Sequence, residues 1–250
     1  MKKISVVIIC KNEEKNIEEC LKSVQWCDEI VLIDGFSVDR TIEIAKTFNI
    51  KIFQNEWKGF SDQRKFALTK VHNEWVFSLD ADERCSNELA EEIKNIFSQN
   101  NFAEKGFLIP RKSFFLGKWI KHCGWYPDFQ LRLFNKNSVT VKERLVHESY
   151  EVQGECGELS NVILHFTVKS ISEFVTKINH YSSLSSIEKV SVEKIGYTHI
   201  FLKPFLEFIK KFIFQKGFMD GINGLMVSYF HMMTKILTYM KMREIQKQNS

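Results

Sequence analysis

The sequence predicts an α/β fold: a mostly parallel central sheet flanked by helices, followed by a helical C-terminal extension. Three observations lead there. Apolar, β-branched runs of strand length alternate with apolar residues at helical spacing through the first half of the chain. Two of those runs end in aspartate, at the strand ends where an open α/β sheet binds its ligands. At about residue 199 the composition shifts, and Phe, Met and Lys become dense.

In chain order, Ser5-Val6-Val7-Ile8-Ile9 reads as a buried parallel strand. Ile17, Cys20, Leu21 and Val24 follow at helical spacing. Residues 29–34 (EIVLID) form the second strand, and Ile42, Ala45 and Phe48 mark the next helix. Lys51-Ile52-Phe53 is a short strand, 59–69 a helix, and 75–80 (WVFSLD) the fourth strand. Ser86 stands where it can cap a helix with the face Leu89, Ile93, Ile96 and Phe97. Beyond Gly106, strands are expected at 106–111 and where Phe129, Leu131 and Leu133 alternate with Gln130 and Arg132. A helix is expected from about Ser172 through Phe174, Val175 and Ile178.

Composition excludes several classes. At 44% apolar and 26% charged, the 250-residue chain is not a disordered one. Its longest uncharged apolar-rich run, between Asp220 and Lys235, is broken by Asn223, Ser228 and His231, so no spanning helix is expected. The apolar N-terminal run stops at Lys11 and is too short for a signal peptide. Six cysteines without a C-x-x-C pair point to reduced thiols rather than a zinc knuckle or a disulfide framework. No G-x-G-x-x-G or G-x-x-x-x-G-K-[ST] occurs, which disfavours dinucleotide oxidoreductases and P-loop NTPases.

The chemistry-bearing residues sit at predicted strand ends. Asp34 closes the second strand, and Asp80-Ala81-Asp82-Glu83 closes the fourth. On an extended segment, Asp80 and Asp82 would face one side, and their oxygens suit Mg²⁺ or Mn²⁺ holding a diphosphate. Ile9-Cys10-Lys11-Asn12-Glu13-Glu14 replaces a glycine loop, so polar side chains are expected to meet the nucleotide.

The segments SVVIICKNEE, EIVLIDGFSVDRT, KGFSDQRKFAL and WVFSLDADE, in that order, resemble the successive motifs of family 2 glycosyltransferases with the GT-A fold. GWYPDFQLRLF, RLVHE, ILHF and KGFMDGINGL resemble the lipopolysaccharide core glucosyltransferases of the WaaE/LgtF type. The resemblance implies an inverting, metal-dependent transfer from a nucleotide sugar, UDP-glucose above all, to a heptose of a lipid-anchored inner-core oligosaccharide. It assigns Ile9, Lys11, Asn12 and Glu13 to base and ribose, although Lys11 stands where many relatives carry an aromatic residue. It assigns Asp34 to the nucleoside, Arg64 to the D-x-D region and diphosphate, and Asp80 to ribose and sugar. Asp82 becomes the principal metal ligand, with Asp80 and His165 (or His147) completing the set. Inversion needs a base to deprotonate the acceptor hydroxyl. Asp128 is the candidate, with Pro127 where the family has an acid, and Glu148 is its rival. ADP-heptose as donor, a sugar nucleotidyltransferase and a non-catalytic nucleotide-sugar-binding module remain open alternatives.

The expected division is a GT-A domain at 1–198 and a basic tail at 199–250. The tail carries eight basic against three acidic residues, so the net charge of +4 resides there. Phe201, Phe205, Phe208, Ile209 and Phe212 are expected on one helix face near Lys203, Lys210, Lys211 and Lys216. That pattern predicts contact with an anionic membrane surface, and hence a cytoplasmic protein peripheral to the bacterial inner membrane. A single arginine in the tail argues against a nucleic-acid partner.

Overall fold

A computed structural model describes residues 2–99, 102–142, 150–190 and 194–248. The elements are β1 (Ile4–Cys10), α1 (Ile17–Ser23), β2 (Glu29–Asp34), α2 (Thr41–Ala45), β3 (Lys51–Gln54), α3 (Phe60–Lys70) and β4 (Trp75–Asp80). Next come β5 (Glu83–Cys85), α4 (Asn87–Gln99), β6 (Gly106–Phe115), β7 (Lys118–Trp119), β8 (Asp128–Asn135), β9 (Val139–Val141) and β10 (Tyr150–Val152). The remainder is β11 (Cys156–Glu158), β12 (Ile163–Val168), α5 (Ile171–Lys189), α6 (Tyr197–Ile200), α7 (Leu202–Ile209) and α8 (Gly221–Gln248).

The described residues fall into two compact units. The first holds 2–99, 102–111, 128–142 and 150–165; the second holds 112–127, 166–190 and 194–248. In the first, β3, β2, β1 and β4 run parallel, and β8 and β6 then continue the sheet antiparallel. All seven residues of β1 are buried, because helices cover one face and helix plus hairpin the other. The period-2 alternation divides them. Val6, Ile8 and Cys10 join the cluster with α1, α2 and α4, whereas Val7 and Ile9 join the one with α3 and the β9–β10 hairpin. Register then decides what the sheet presents at its carboxyl edge. Cys10 pairs with Asp34, and Ile9 with Asp80, so both aspartates end level beside β1.

The predicted fold class is the one observed, and the Ser86 cap forms, its Oγ accepting the Leu89 N–H at 3.2 Å. One local expectation fails. Asp80 and Asp82 do not share one extended segment: β4 ends at Asp80, a turn holds Ala81 and Asp82, and β5 begins at Glu83. The strand expected at 129–133 forms as β8, with Arg132, Leu133 and Phe134 all buried because β8 lies between β4 and β6.

In the second unit, Phe115, Ile120, Cys123, Val168 and Val227 form a core against Trp125, Phe174 and Phe230. The K-G-F-M-D-G-I-N-G stretch is explained by backbone proximity. A Cβ on Gly224 would lie 1.9 Å from the Gly217 carbonyl oxygen, and one on Gly217 would lie 2.6 Å from Cys123 Sγ. Asp220, between them, accepts the His122 N–H at 2.8 Å and meets His122 Nδ1 at 3.1 Å.

Candidate functional site

The first loop after β1 is fastened to the loop after β2. Asn12 takes a left-handed conformation (φ 58°), which asparagine tolerates better than most residues. Its N–H donates to Ser37 Oγ (2.8 Å), and its Oδ1 accepts the Val38 N–H (2.9 Å). The Glu13 N–H donates to Thr41 Oγ1, and the Glu14 N–H to Asp39 Oδ2. Lys11 and Asn12 are exposed there, whereas Ile9 is a core residue packed towards α3. Asp34 is fully buried: its carboxylate accepts the Ser37 N–H and the Gln54 amide (3.1 Å), and so shapes the β2–α2 loop.

Sequence reasoning missed Trp57. Its ring packs over Gly35, where a methyl group would come within 2.5 Å of it and 3.3 Å of the Cys10 carbonyl. Lys11 Nζ stands 5.9 Å from the ring centroid. An aromatic surface is therefore present beside Lys11, supplied by a residue 46 positions downstream rather than by the loop itself.

At the end of β4, three carboxylates and three guanidiniums form one chain. Arg64 Nη2 meets Asp80 Oδ1 at 3.2 Å, and Arg132 Nη2 meets Asp80 Oδ2 and Glu83 Oε1, each at 2.7 Å. Arg111 bridges Glu83 Oε1 (3.1 Å) and Asp128 Oδ2 (2.6 Å). Sheet order creates this alignment: β4, β8 and β6 are neighbours, and Arg111 lies directly across from Asp128. Burial alone would raise the Asp80 carboxyl; Arg132 and Arg64 outweigh it and hold the group well below the usual carboxylate range. Burial tends to lower Arg132, but Asp80 and Glu83 keep it charged. The Arg64 guanidinium also lies 5.5 Å from the Tyr150 ring, whose hydroxyl meets Ser78 Oγ at 3.0 Å.

Glu83, Arg111 and Arg132 were not singled out from the sequence. Arg132 carried the clearest signal: a guanidinium inside the apolar run FQLRLF needs a buried counter-charge.

His165 comes to the acidic turn because β12 pairs antiparallel with β5, placing His165 opposite Glu83. Its Nε2 is 3.4 Å from Asp82 Oδ2, with side-chain exposures of 14% and 16%. Among the described residues no group of three His, Cys, Asp or Glu side chains is arranged to hold a metal ion. A carboxylate beside an imidazole does suit a divalent ion that takes further oxygens from a bound ligand, and Asp80 is instead occupied by its two arginines. Asp128 remains 31% exposed at its side chain, and its Oδ1 accepts the Gln130 amide at 2.7 Å. Glu148 and His147 lie outside the described residues.

The family model described as Glycosyl transferase family 2 matches residues 5–141. An uncharacterized glycosyltransferase of Rickettsia typhi is 30% identical over 98% of this chain and 88% of its own length. A lipopolysaccharide core biosynthesis glycosyltransferase, LpsC of Rhizobium meliloti, is 26% identical over 88% of this chain and 84% of its own. Among solved structures, S. aureus TarS 1–349 in complex with UDP-GlcNAc superposes with a TM-score of 0.52 at 16% identity, covering 99% of this chain and 92% of that one. That last likeness concerns the fold alone.

Proposed function

The chain belongs to glycosyltransferase family 2, and on that premise we propose that it transfers a sugar with inversion from a nucleotide donor to a lipid-anchored oligosaccharide. The donor is UDP-glucose and the acceptor a heptose of the lipopolysaccharide inner core. The acceptor reading is supported by the similarity to LpsC. The observation that carries the chemistry is the ion chain from Arg64 to Asp128, which joins the acidic turn to a partly exposed carboxylate.

In this reading the base lies near Lys11 and Asn12, with the Trp57 ring as its stacking surface. Arg64 faces the diphosphate while steadying Asp80. Asp82 and His165 would hold a Mg²⁺ or Mn²⁺ ion, which when bound supplies positive charge against the leaving diphosphate. Asp128 accepts the proton of the acceptor hydroxyl as that oxygen bonds the anomeric carbon; the bond from anomeric carbon to phosphate oxygen breaks, and UDP leaves. Arg111 keeps Asp128 aimed. Residues 1–198 do this chemistry, and 199–250 address the membrane. The protein is then cytoplasmic and peripheral on the inner membrane, where nucleotide sugars meet lipid-borne acceptors.

A donor screen tests the proposal. Purified protein with heptose-bearing lipid acceptor should release UDP from UDP-glucose, only when both substrates and the metal are present. Asp128→Asn should reduce turnover by ~10²-fold or more with donor binding retained. ADP release from ADP-heptose would replace the donor. Pyrophosphate release from a nucleoside triphosphate, or donor binding without turnover, would overturn the reaction class.

A further inference from the structure

Helix α7 buries one of its eight residues, Pro204. Phe201, Leu202, Phe205, Leu206 and Ile213 all face solvent, Phe201 at 66% exposure. Spacings of one, four, five and twelve residues from Phe201 put them on one side of a helical path. Pro204 and Lys211, seven apart, mark the opposite side, and Lys211 turns inward to donate to the Cys123 carbonyl at 3.0 Å. Phe208 and Phe212, expected on the outer face, are half-buried and stack on each other at 5.6 Å. The chain then runs through a π-turn (Lys210–Phe214) and a 3₁₀ turn (Gly217–Asp220) that expose Phe214 at 77%, Phe218 and Met219. Lys203 and Lys210, again seven apart, are exposed and share a side adjoining the apolar one.

A helix of a water-facing surface has the reverse arrangement, and an apolar surface of this extent marks a contact. No helix among the described residues is long and apolar enough to cross a membrane, so the segment is not a span. Charge selects the occupant. The segment's lysines and the basic excess of 199–250 complement lipid phosphate. A second copy meeting this face symmetrically would set Lys203 and Lys210 against their own kind.

We propose that residues 201–219 form an interfacial docking surface for an anionic bilayer, with Phe201, Leu202, Phe205, Leu206 and Phe214 entering the headgroup–acyl boundary and Lys203 and Lys210 at the phosphate level. The inference deepens the proposed function, from which it takes the lipid-borne acceptor and the assignment of 199–250 to the membrane. It is read without donor, metal or turnover, so either can fail alone.

The test is co-sedimentation of the full chain with vesicles of phosphatidylcholine, alone or mixed with phosphatidylglycerol. The protein should bind the mixed vesicles much more strongly. Phe205→Gln with Leu206→Gln and Phe214→Gln should lose most binding to both kinds; these side chains are exposed, so an unchanged circular dichroism spectrum is expected. Lys203→Gln with Lys210→Gln should lose roughly tenfold on anionic vesicles and little on neutral ones. Ile187→Gln, an exposed apolar position on α5, should bind as the parent does. Wild-type protein that ignores anionic vesicles overturns the proposal. So does a triple variant that binds them normally, or one that turns a dimer into a monomer by size exclusion with lipid binding unchanged.

Discussion

The carboxylate of Glu83 lies between the Arg111 and Arg132 guanidiniums, accepts the Asp80 backbone N–H at 2.9 Å, and has no exposure to solvent. One side chain thus fixes both the peptide that presents Asp80 and the arginine that holds Asp128. The chain of contacts sets three acidic side chains against three basic ones. Glu83→Gln keeps the volume but leaves the guanidiniums one charge in excess at a buried site. Removal of one partner from a buried ion pair costs about 3 kcal/mol or more. Urea unfolding should show that loss. Under conditions where the variant is folded, kcat should fall while donor affinity changes less, because Asp128 loses its anchor. A variant as stable and active as the parent would remove Glu83 from this role.

At the scale of elements, β1, β2 and β4 were legible because a parallel strand covered on both faces leaves an unbroken apolar run. The aspartates at their ends followed from the same pattern. The ion chain was not legible, because its contacts join residues 16 to 52 positions apart and depend on β8 and β6 being neighbours of β4. Trp57 was missed for a similar reason: only the fold brings it over Gly35. Helix α8 supplies a prediction of its own. Trp125 Nε1 donates to His231 Nε2 at 3.1 Å, which requires a neutral imidazole. Burial, with Lys211 and Lys235 nearby, lowers the His231 pKa to about 3. Between the ordinary value of 6.5 and about 3, the unfolded chain binds a proton that the folded one does not. Stability attributable to this group is therefore full above 6.5 and drains away as pH falls through that window. His231→Gln retains an acceptor but does not titrate. The thermal midpoint of the parent should decline more steeply than that of the variant on acidification; parallel curves would refute the assignment.

For the molecule as a whole, the second unit is assembled from segments far apart in the chain. Residues 112–127 supply part of its core, yet the groups that complete it come later: Lys211 and Gln215 on Cys123, Asp220 on His122, Val227 in the cluster, His231 on Trp125. A chain stopped at residue 198 should accordingly be recovered insoluble or bind a hydrophobic dye, as fractionation and fluorescence would register; a soluble, active fragment would contradict this. The same arrangement has a consequence in time. His122 and Asp220 are 98 residues apart, an interval of about 5–20 s at ordinary rates of synthesis. Throughout that interval Phe115, Ile120 and Trp125 lack the partners that α8 supplies, Val227, Phe230 and His231. The nascent chain is thus a natural substrate for chaperones until the glycine crossing at 217 and 224 has emerged and closed.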